Sequence, residues 1–144
     1  MGTTPKSVYF EDLSVGQEAS ISNTVTADVI NAFAAVSGDR NPVHVDADYA
    51  ATTMFKERIA HGMLSAAYIS AVFGMKLPGP GAVYISQTLA FKAPVKIGDV
   101  VVATVKIAEL VPEKKRAKFD CVCTVGGKPV VQGEAVLMVP PRPA

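Results

Sequence analysis

Net charge is nearly absent: 14 Lys and Arg stand against 13 Asp and Glu, a formal +1. Binding phosphate backbones needs a basic field, so nucleic acid is excluded as the main partner. Long apolar runs are missing as well. The most apolar stretch, Gly62 to about Met75, is too short to cross a bilayer and is interrupted by Ser65 and Ser70, so no membrane partner is expected. Met1 to Ser7 is short and polar, with no apolar segment of the secretory kind, and Lys6 stands where N-myristoylation wants Ser or Thr. Cysteine is scarce. Cys121 and Cys123 lie two apart in an alternating segment, where on a strand they share one face and are poorly placed to bridge. A redox or metal pair would need a partner cluster that the neighbouring sequence lacks. As buried thiols the two fit a reducing, cytoplasmic location.

What is present is globular. The 144 residues suffice for one domain with a substantial core, and 49% hydrophobic against 19% charged residues is slightly richer in apolar side chains than average. That excess points to a surface buried between subunits. The ordered core is expected over residues 10–139, with the proline-rich Pro140 to Ala144 as a frayed tail. No internal repeat is visible.

Phe10 to Gly16 reads as a leading loop and Gln17 to Val25 as a short strand with Ala19, Ile21 and Val25 on one side. Thr26 is placed as a helix N-cap, Asp28 falls in the first turn, and Val29, Ile30, Phe33, Ala34 and Val36 follow at helical spacing. Gly38 then suits the position just past the helix end, so the first helix spans Ala27 to Ser37. Asp39 to Ala60 is loop-rich, with Asn41-Pro42 as a turn and one short helix over Ala47 to Met54. From Gly62 the pattern is apolar nearly all round (Met63, Leu64, Ala66, Ala67, Ile69, Val72, Phe73), as in a buried helix, until Leu77-Pro78-Gly79-Pro80-Gly81 ends it. Four strand-like runs follow as a meander: Val83 to Phe91, Val100 to Val111, Arg116 to Val125 and Val130 to Val139. In the third, Ala117, Phe119, Cys121, Cys123 and Val125 alternate against a more polar face, the mark of an antiparallel sheet. The order predicts an α+β domain in which a curved antiparallel sheet wraps one buried helix, the hotdog layout.

Chemistry concentrates around the first helix end. Asp39 would sit beside the negative end of that helix's dipole, which disfavours its ionised form, and partial burial would act in the same direction. A carboxyl tuned so is a better proton-transfer group near neutral pH, and His44 offers the complementary group. Five extended residues span about 17 Å, so convergence needs the Asn41-Pro42 turn. On spacing alone the alternative stands that Asp39 makes a local turn hydrogen bond and His44 is an ordinary loop histidine. Gly62 opens the apolar helix. Its free backbone N–H would hold negative charge on a ligand oxygen, or glycine there packs tightly against a strand, and both can hold together. His61 is read as capping that helix or packing beside it. Ser70 either points at the site or satisfies its hydroxyl against the preceding turn. Asp39, His44, Asp46, Asp48 and His61 have neither the helical His pair nor the calcium-loop spacing of a metal site, and no metal is expected.

Ser37-Gly38-Asp39-Arg40-Asn41-Pro42-Val43-His44, followed by His61-Gly62-Met63-Leu64, closely resembles the hydratase-2 motif of the (R)-specific enoyl-CoA hydratases, the MaoC-like hotdog enzymes. The likeness continues through Leu77-Pro78-Gly79, Ser86 to Lys92 and Gly98-Asp99, nearly from Phe10 to Val139. The nearest in kind are the short monodomain hydratases that feed polyhydroxyalkanoate synthesis. The resemblance implies a hydro-lyase that reversibly adds water syn across trans-2-enoyl-CoA, giving (R)-3-hydroxyacyl-CoA. It implies Asp39 and His44 as catalytic groups, the Gly62 N–H on the thioester oxygen, and Asn41 and Ser70 at the site. It further implies a homodimer joined sheet edge to sheet edge, with no cofactor beyond the coenzyme A of the substrate. Lys56, Arg58, Lys92 or Lys96 would meet that moiety's phosphates. The acyl tail is expected to run past Gly62 between helix and sheet, over Met63, Leu64, Val72 or residues 130–137, with a preference for about four to six carbons.

Three other readings share the fold: a 3-hydroxyacyl-acyl-carrier-protein dehydratase subunit needing a second chain, a thioesterase, and a non-catalytic acyl-CoA-binding protein.

Overall fold

The computed structural model describes residues 4–144; Met1 to Thr3, which carry part of the N-terminal lipidation and leader reading, lie outside them. A 3₁₀ turn at Phe10–Asp12 buries Phe10 and leads to strand β1 (Glu18–Thr24) and helix α1 (Ala27–Ser37). Both expected caps are present. The Thr26 side chain accepts from the Val29 N–H at 3.1 Å, and Gly38 at φ 79° returns its N–H to the Ala34 carbonyl at 3.0 Å. The left-handed conformation there is the one glycine tolerates without strain.

The next segment departs from expectation. Asn41-Pro42 is a helix start rather than a plain turn: the Asn41 side chain accepts from the Val43 N–H, and Pro42 takes the first position of helix α2 (Pro42–Val45). Proline suits that position because its missing N–H would have had no helical partner. Asp46 then caps helix α3 (Ala47–Ala51), which ends short of the expected Met54, where Thr52 and Thr53 turn their hydroxyls onto the last carbonyls.

Helix α4 (Gly62–Met75) packs against the sheet of β1, β4 (Val100–Val111), β5 (Arg116–Val125) and β6 (Lys128–Met138). Leu64, Ser65, Ile69, Val72 and Phe73 are buried in that contact, and Phe73 meets the Phe119 ring edge-on at 4.8 Å between centroids. An edge-to-face pair of this kind adds ~0.5–1.5 kcal/mol to the area it buries. The sheet is antiparallel throughout and curves around the helix, giving the α+β hotdog fold. The helix is not covered on every side, however. Met63, Ala67, Ser70 and Gly74, spaced along one helical stripe, are exposed in the single chain.

Two further expectations are corrected. Val83 to Phe91 is not one strand but two, β2 (Val83–Gln87) and β3 (Ala90–Phe91), and the meander does not begin there. The strand order is β1-β4-β5-β6-β2, with β3 also on β6. The break falls where Thr88 folds over β6: its N–H donates to the Glu134 carbonyl, its hydroxyl accepts from the Glu134 N–H, and its carbonyl fills the space beside Gly133. Alternation reveals a strand without naming its neighbour, which long-range contacts decide. The tail is tied rather than frayed as far as Arg142. Pro140 accepts from the Phe10 N–H, the Arg142 N–H donates to Glu11, and the Arg142 side chain pairs with Asp12.

Cys121 and Cys123 are free and buried on the helix-facing side of β5. Burial pushes the Cys121 thiol up to about 11 and the Cys123 thiol up to about 12. Both are expected to resist a thiol-specific disulfide reagent at pH 8 in the folded protein and to react stoichiometrically in denaturant. Because their folded values lie above the unfolded one, the folded state binds more protons on the alkaline side. Stability is then retained below about pH 8.5 and falls as the pH climbs toward 11 and 12. Rapid labelling of either native thiol at pH 8 would contradict this packing.

Candidate active site

The end of α1, the short α2 and the segment Arg58 to Gly62 meet at one point. Gly38 lets the chain leave α1, and the Asp39 N–H is caught by the Ser37 hydroxyl at 3.1 Å. Asp39 accepts from the Asn41 N–H at 3.2 Å, so the local turn bond exists. It does not keep Asp39 from the histidines. A carboxylate oxygen of Asp39 and one ring nitrogen each of His44 and His61 lie within 4.8 Å of one another. Asp39 is exposed in the single chain, so the burial expected to act on its carboxyl is not found there.

His44 Nδ1 lies 2.8 Å from the Ile59 carbonyl. A carbonyl can only accept, so Nδ1 carries the proton and Nε2 of the neutral ring keeps a free lone pair. His61 is held similarly: its Nε2–H donates to the Asp39 carbonyl at 2.8 Å, leaving a buried Nδ1 without a partner among the described residues. The two imidazoles stack at 3.9 Å between centroids with planes 26° apart, and the Phe33 ring lies 5.0 Å from His61, tilted by 58°. His61 occupies the N-cap position of α4 but makes no capping hydrogen bond; its polar contact goes to Asp39 instead. The Asp39, His44 and His61 trio has metal-binding residue types, yet ring lone pairs lie in the ring planes. The rings are stacked with centroids 3.9 Å apart and planes 26° from parallel, and each has one nitrogen already engaged on a backbone carbonyl.

A cavity of about 510 Å³ opens beside these rings, lined by His44, His61, Gly62, Met63, Phe91 and Val131 among others. Gly62 starts α4, and since the Leu64 N–H already bonds the His61 carbonyl, the N–H groups of Gly62 and Met63 are the ones left to face a ligand. A Cβ on Gly62 would stand 2.5 Å from the Phe91 ring, so the glycine both packs against strand β3 and exposes its backbone. A slightly larger groove of about 590 Å³ lies over Thr104, Asp120, Gln132 and Glu134, with no histidine and no helix start. His44, His61 and the start of α4 border the first cavity.

The other expected residues divide. Met63 lines this cavity, whereas Leu64 is 5% exposed and lies in the core on the inner face of α4. Val72 and Leu137 are core residues too. Asn41 spends its side-chain oxygen on capping α2. Ser70 lines a neighbouring cavity with Ala67, Tyr84 and Ile85, which Met63 also borders. Arg58 turns inward to the His44 carbonyl and Asn31, and Lys96 pairs with Glu57. Phe55, Phe91 and Pro94 line the same cavity as His44 and carried no signal in the sequence, since each reaches it only through tertiary packing.

Residues 12–132 match the MaoC like domain family. The chain is 60% identical over 134 residues to an (R)-specific enoyl-CoA hydratase of Rhodospirillum rubrum, covering 93% of each. It is 51% identical to a 3-hydroxybutyryl-CoA dehydratase of Methylorubrum extorquens, over 94% of this chain and 86% of that one. It is also similar to the solved unliganded R-hydratase PhaJ1 of Pseudomonas aeruginosa, with a TM-score of 0.90 and 49% identity over 94% of this chain and 88% of that one.

Proposed function

Because the chain belongs to the MaoC-like family, we propose that it is an (R)-specific enoyl-CoA hydratase, a hydro-lyase that reversibly adds water to trans-2-enoyl-CoA. The observation that carries this reading is the meeting of the Asp39 carboxylate with His44, whose ring lines the same cavity as the free start of α4. Water held between the Asp39 carboxylate and His44 Nε2 gives up a proton as its oxygen bonds to C3. The π electrons move onto the thioester oxygen, and a proton then reaches C2. The oxygen's charge rests on the N–H of Gly62, a donor of the kind worth ~3–4 kcal/mol in the transition state. Both proton-handling groups lie on the same side of the substrate, so hydroxyl and hydrogen arrive at one face, and the product is the (R)-3-hydroxyacyl-CoA. No cofactor takes part.

Lys92 lines the cavity and Lys56 is exposed on the loop ahead of it; of the four expected cations, these two are the ones not engaged with other side chains or carbonyls among the described residues, and they meet the coenzyme A phosphates. The bulky wall of Phe55, Met63, Phe91 and Val131 favours acyl chains of about four to six carbons, in keeping with a relative named for 3-hydroxybutyryl-CoA. Loss of the enoyl-thioester absorbance measured with crotonyl-, hexenoyl- and octenoyl-CoA tests both points. Turnover is expected with the first two. A higher kcat/KM for octenoyl-CoA would overturn the length preference, and no turnover of any of them would overturn the hydratase.

The working form is a homodimer. The exposed stripe of α4 adjoins the sheet edge that bears Val83, Tyr84, Ile85 and Phe91, each at least 40% exposed in the single chain. An apolar surface of this kind marks an interface. Sedimentation should give about twice the 15.1 kDa chain mass; an active monomer would refute the dimer. Among the described residues, no helix is long and apolar enough to cross a membrane. With a coenzyme A substrate and buried free thiols, this supports a cytoplasmic enzyme of fatty-acid metabolism. The likeness to monodomain hydratases supports supply of (R)-3-hydroxyacyl units to polyhydroxyalkanoate synthesis.

A further inference from the structure

Arg58 is half-buried, and among the described residues it forms no ion pair with a carboxylate. Its guanidinium is used on two neutral oxygens. Nε donates to the His44 carbonyl at 2.6 Å, and a terminal nitrogen donates to Asn31 Oδ1 on α1 at 2.7 Å. The His44 carbonyl lies near the end of the four-residue helix α2, where carbonyls lack a partner from a following turn. The next residue grips the other end of the same histidine: the Ile59 carbonyl accepts from His44 Nδ1 at 2.8 Å, and the Ile59 N–H donates to Val43 at 3.3 Å. One dipeptide therefore holds His44 by backbone and ring together. Ala60 in turn anchors that dipeptide to the body of the domain through the Val95 carbonyl at 2.7 Å.

We propose that Arg58 is a positioning residue for the reaction, which ties His44 to α1 through Asn31 and thereby keeps the Nδ1–H tautomer that leaves Nε2 free for water. The proposal rests on the hydratase reading for its kinetic consequence and on geometry alone for its effect on the ring. Charge-assisted bonds to two acceptors at fixed angles suit a planar guanidinium; a lysine ammonium can hold one of them but not both in the same fork. Small displacement of a reacting group is enough to slow a reaction by about a hundredfold.

The test uses the full chain with Arg58→Ala and Arg58→Lys. With only two histidines in the sequence, the imidazole nitrogens are assignable in a ¹⁵N spectrum with His44→Ala as reference. In the parent chain at a pH where the rings are neutral, His44 should show a protonated Nδ1 and a bare Nε2. R58A should mix the tautomers and lower kcat by about 10- to 100-fold, with a much smaller change in KM for crotonyl-CoA and partial recovery of kcat on adding guanidinium ion. R58K should fall between the two and decides the matter where R58A does not fold. An unchanged His44 spectrum in R58A, or in R58K where R58A does not fold, overturns the proposal, as does parental kcat in a variant whose tautomers are mixed. The spectrum needs no substrate, so failure of the hydratase reading would be seen separately, as a parent chain with a fixed His44 and no turnover.

Discussion

Replacing Asp39 with Asn or His44 with Ala is expected to lower kcat/KM for crotonyl-CoA by about 10²–10⁴-fold, the usual contribution of a positioned acid or base. The folded state should survive both changes, because Asp39 is exposed and the amide of Asn can still accept from the Asn41 N–H. His44→Ala loses the bond to Ile59 and the stack on His61, so a modest fall in melting temperature accompanies it. His61→Ala should behave differently. It removes a side chain that is 3% exposed, packed on Phe33 and bonded to the Asp39 carbonyl, so stability falls by about 2–5 kcal/mol while more activity remains in the molecules that fold. Kinetics and thermal melts on the three variants separate the roles. Near-normal turnover by folded Asp39→Asn would remove Asp39 from the chemistry.

The second large effect is on the fold. A Cβ placed on Gly133 would lie 1.8 Å from the Thr88 carbonyl oxygen and 2.7 Å from its carbon. These are backbone atoms held by hydrogen bonds to Glu134, so they cannot swing aside. Gly133→Ala should therefore cost about 3 kcal/mol, at the upper end for overpacking, and lower the melting temperature by about 10 °C. The break between β2 and β3 also sets Phe91 beside Gly62, so surviving protein should bind substrate less well. Gly62→Ala offers the contrast. The atoms it meets are the far end of the Phe91 ring, which can rotate, so Gly62→Ala should keep most of its stability and lose activity instead. Equal melting temperatures for Gly133→Ala and the parent would contradict the packing described at Thr88.

How much of this could be read beforehand follows the range of the forces involved. Thr26, Gly38 and the spacing between them define α1 because capping and left-handed closure act within four residues. The alternation of Ala117 to Val125 marks β5 because a pleated strand imposes its own period. The pairing of β2 with β6, the fold of Thr88 onto Gly133 and the presence of Phe91 beside Gly62 depend on residues some 30–50 positions apart, and no local pattern announces them. The same holds at the site. Asp39 and His44 stand out through the motif, and Gly62 through the helix it opens. Arg58 is expected from its charge to meet coenzyme A phosphates, because nothing in Glu57-Arg58-Ile59 says that the guanidinium turns toward His44 and Asn31. Leu64 is expected with Met63 on the floor of the acyl pocket, yet one residue turns a helix by about 100° and takes the Leu64 side chain into the core.

The central claim is that one acid–base group pair, on one side of the substrate, hydrates an enoyl thioester. It is tested most directly by letting the purified chain act on crotonyl-CoA in D₂O and determining the configuration at C2 and C3 of the product. Syn addition to the (3R) alcohol, with one deuterium at C2 on the face that received the hydroxyl and no free thiol released, is the predicted result. A (3S) product, deuterium on the opposite face, or appearance of free coenzyme A in place of the hydroxyacyl thioester would contradict it.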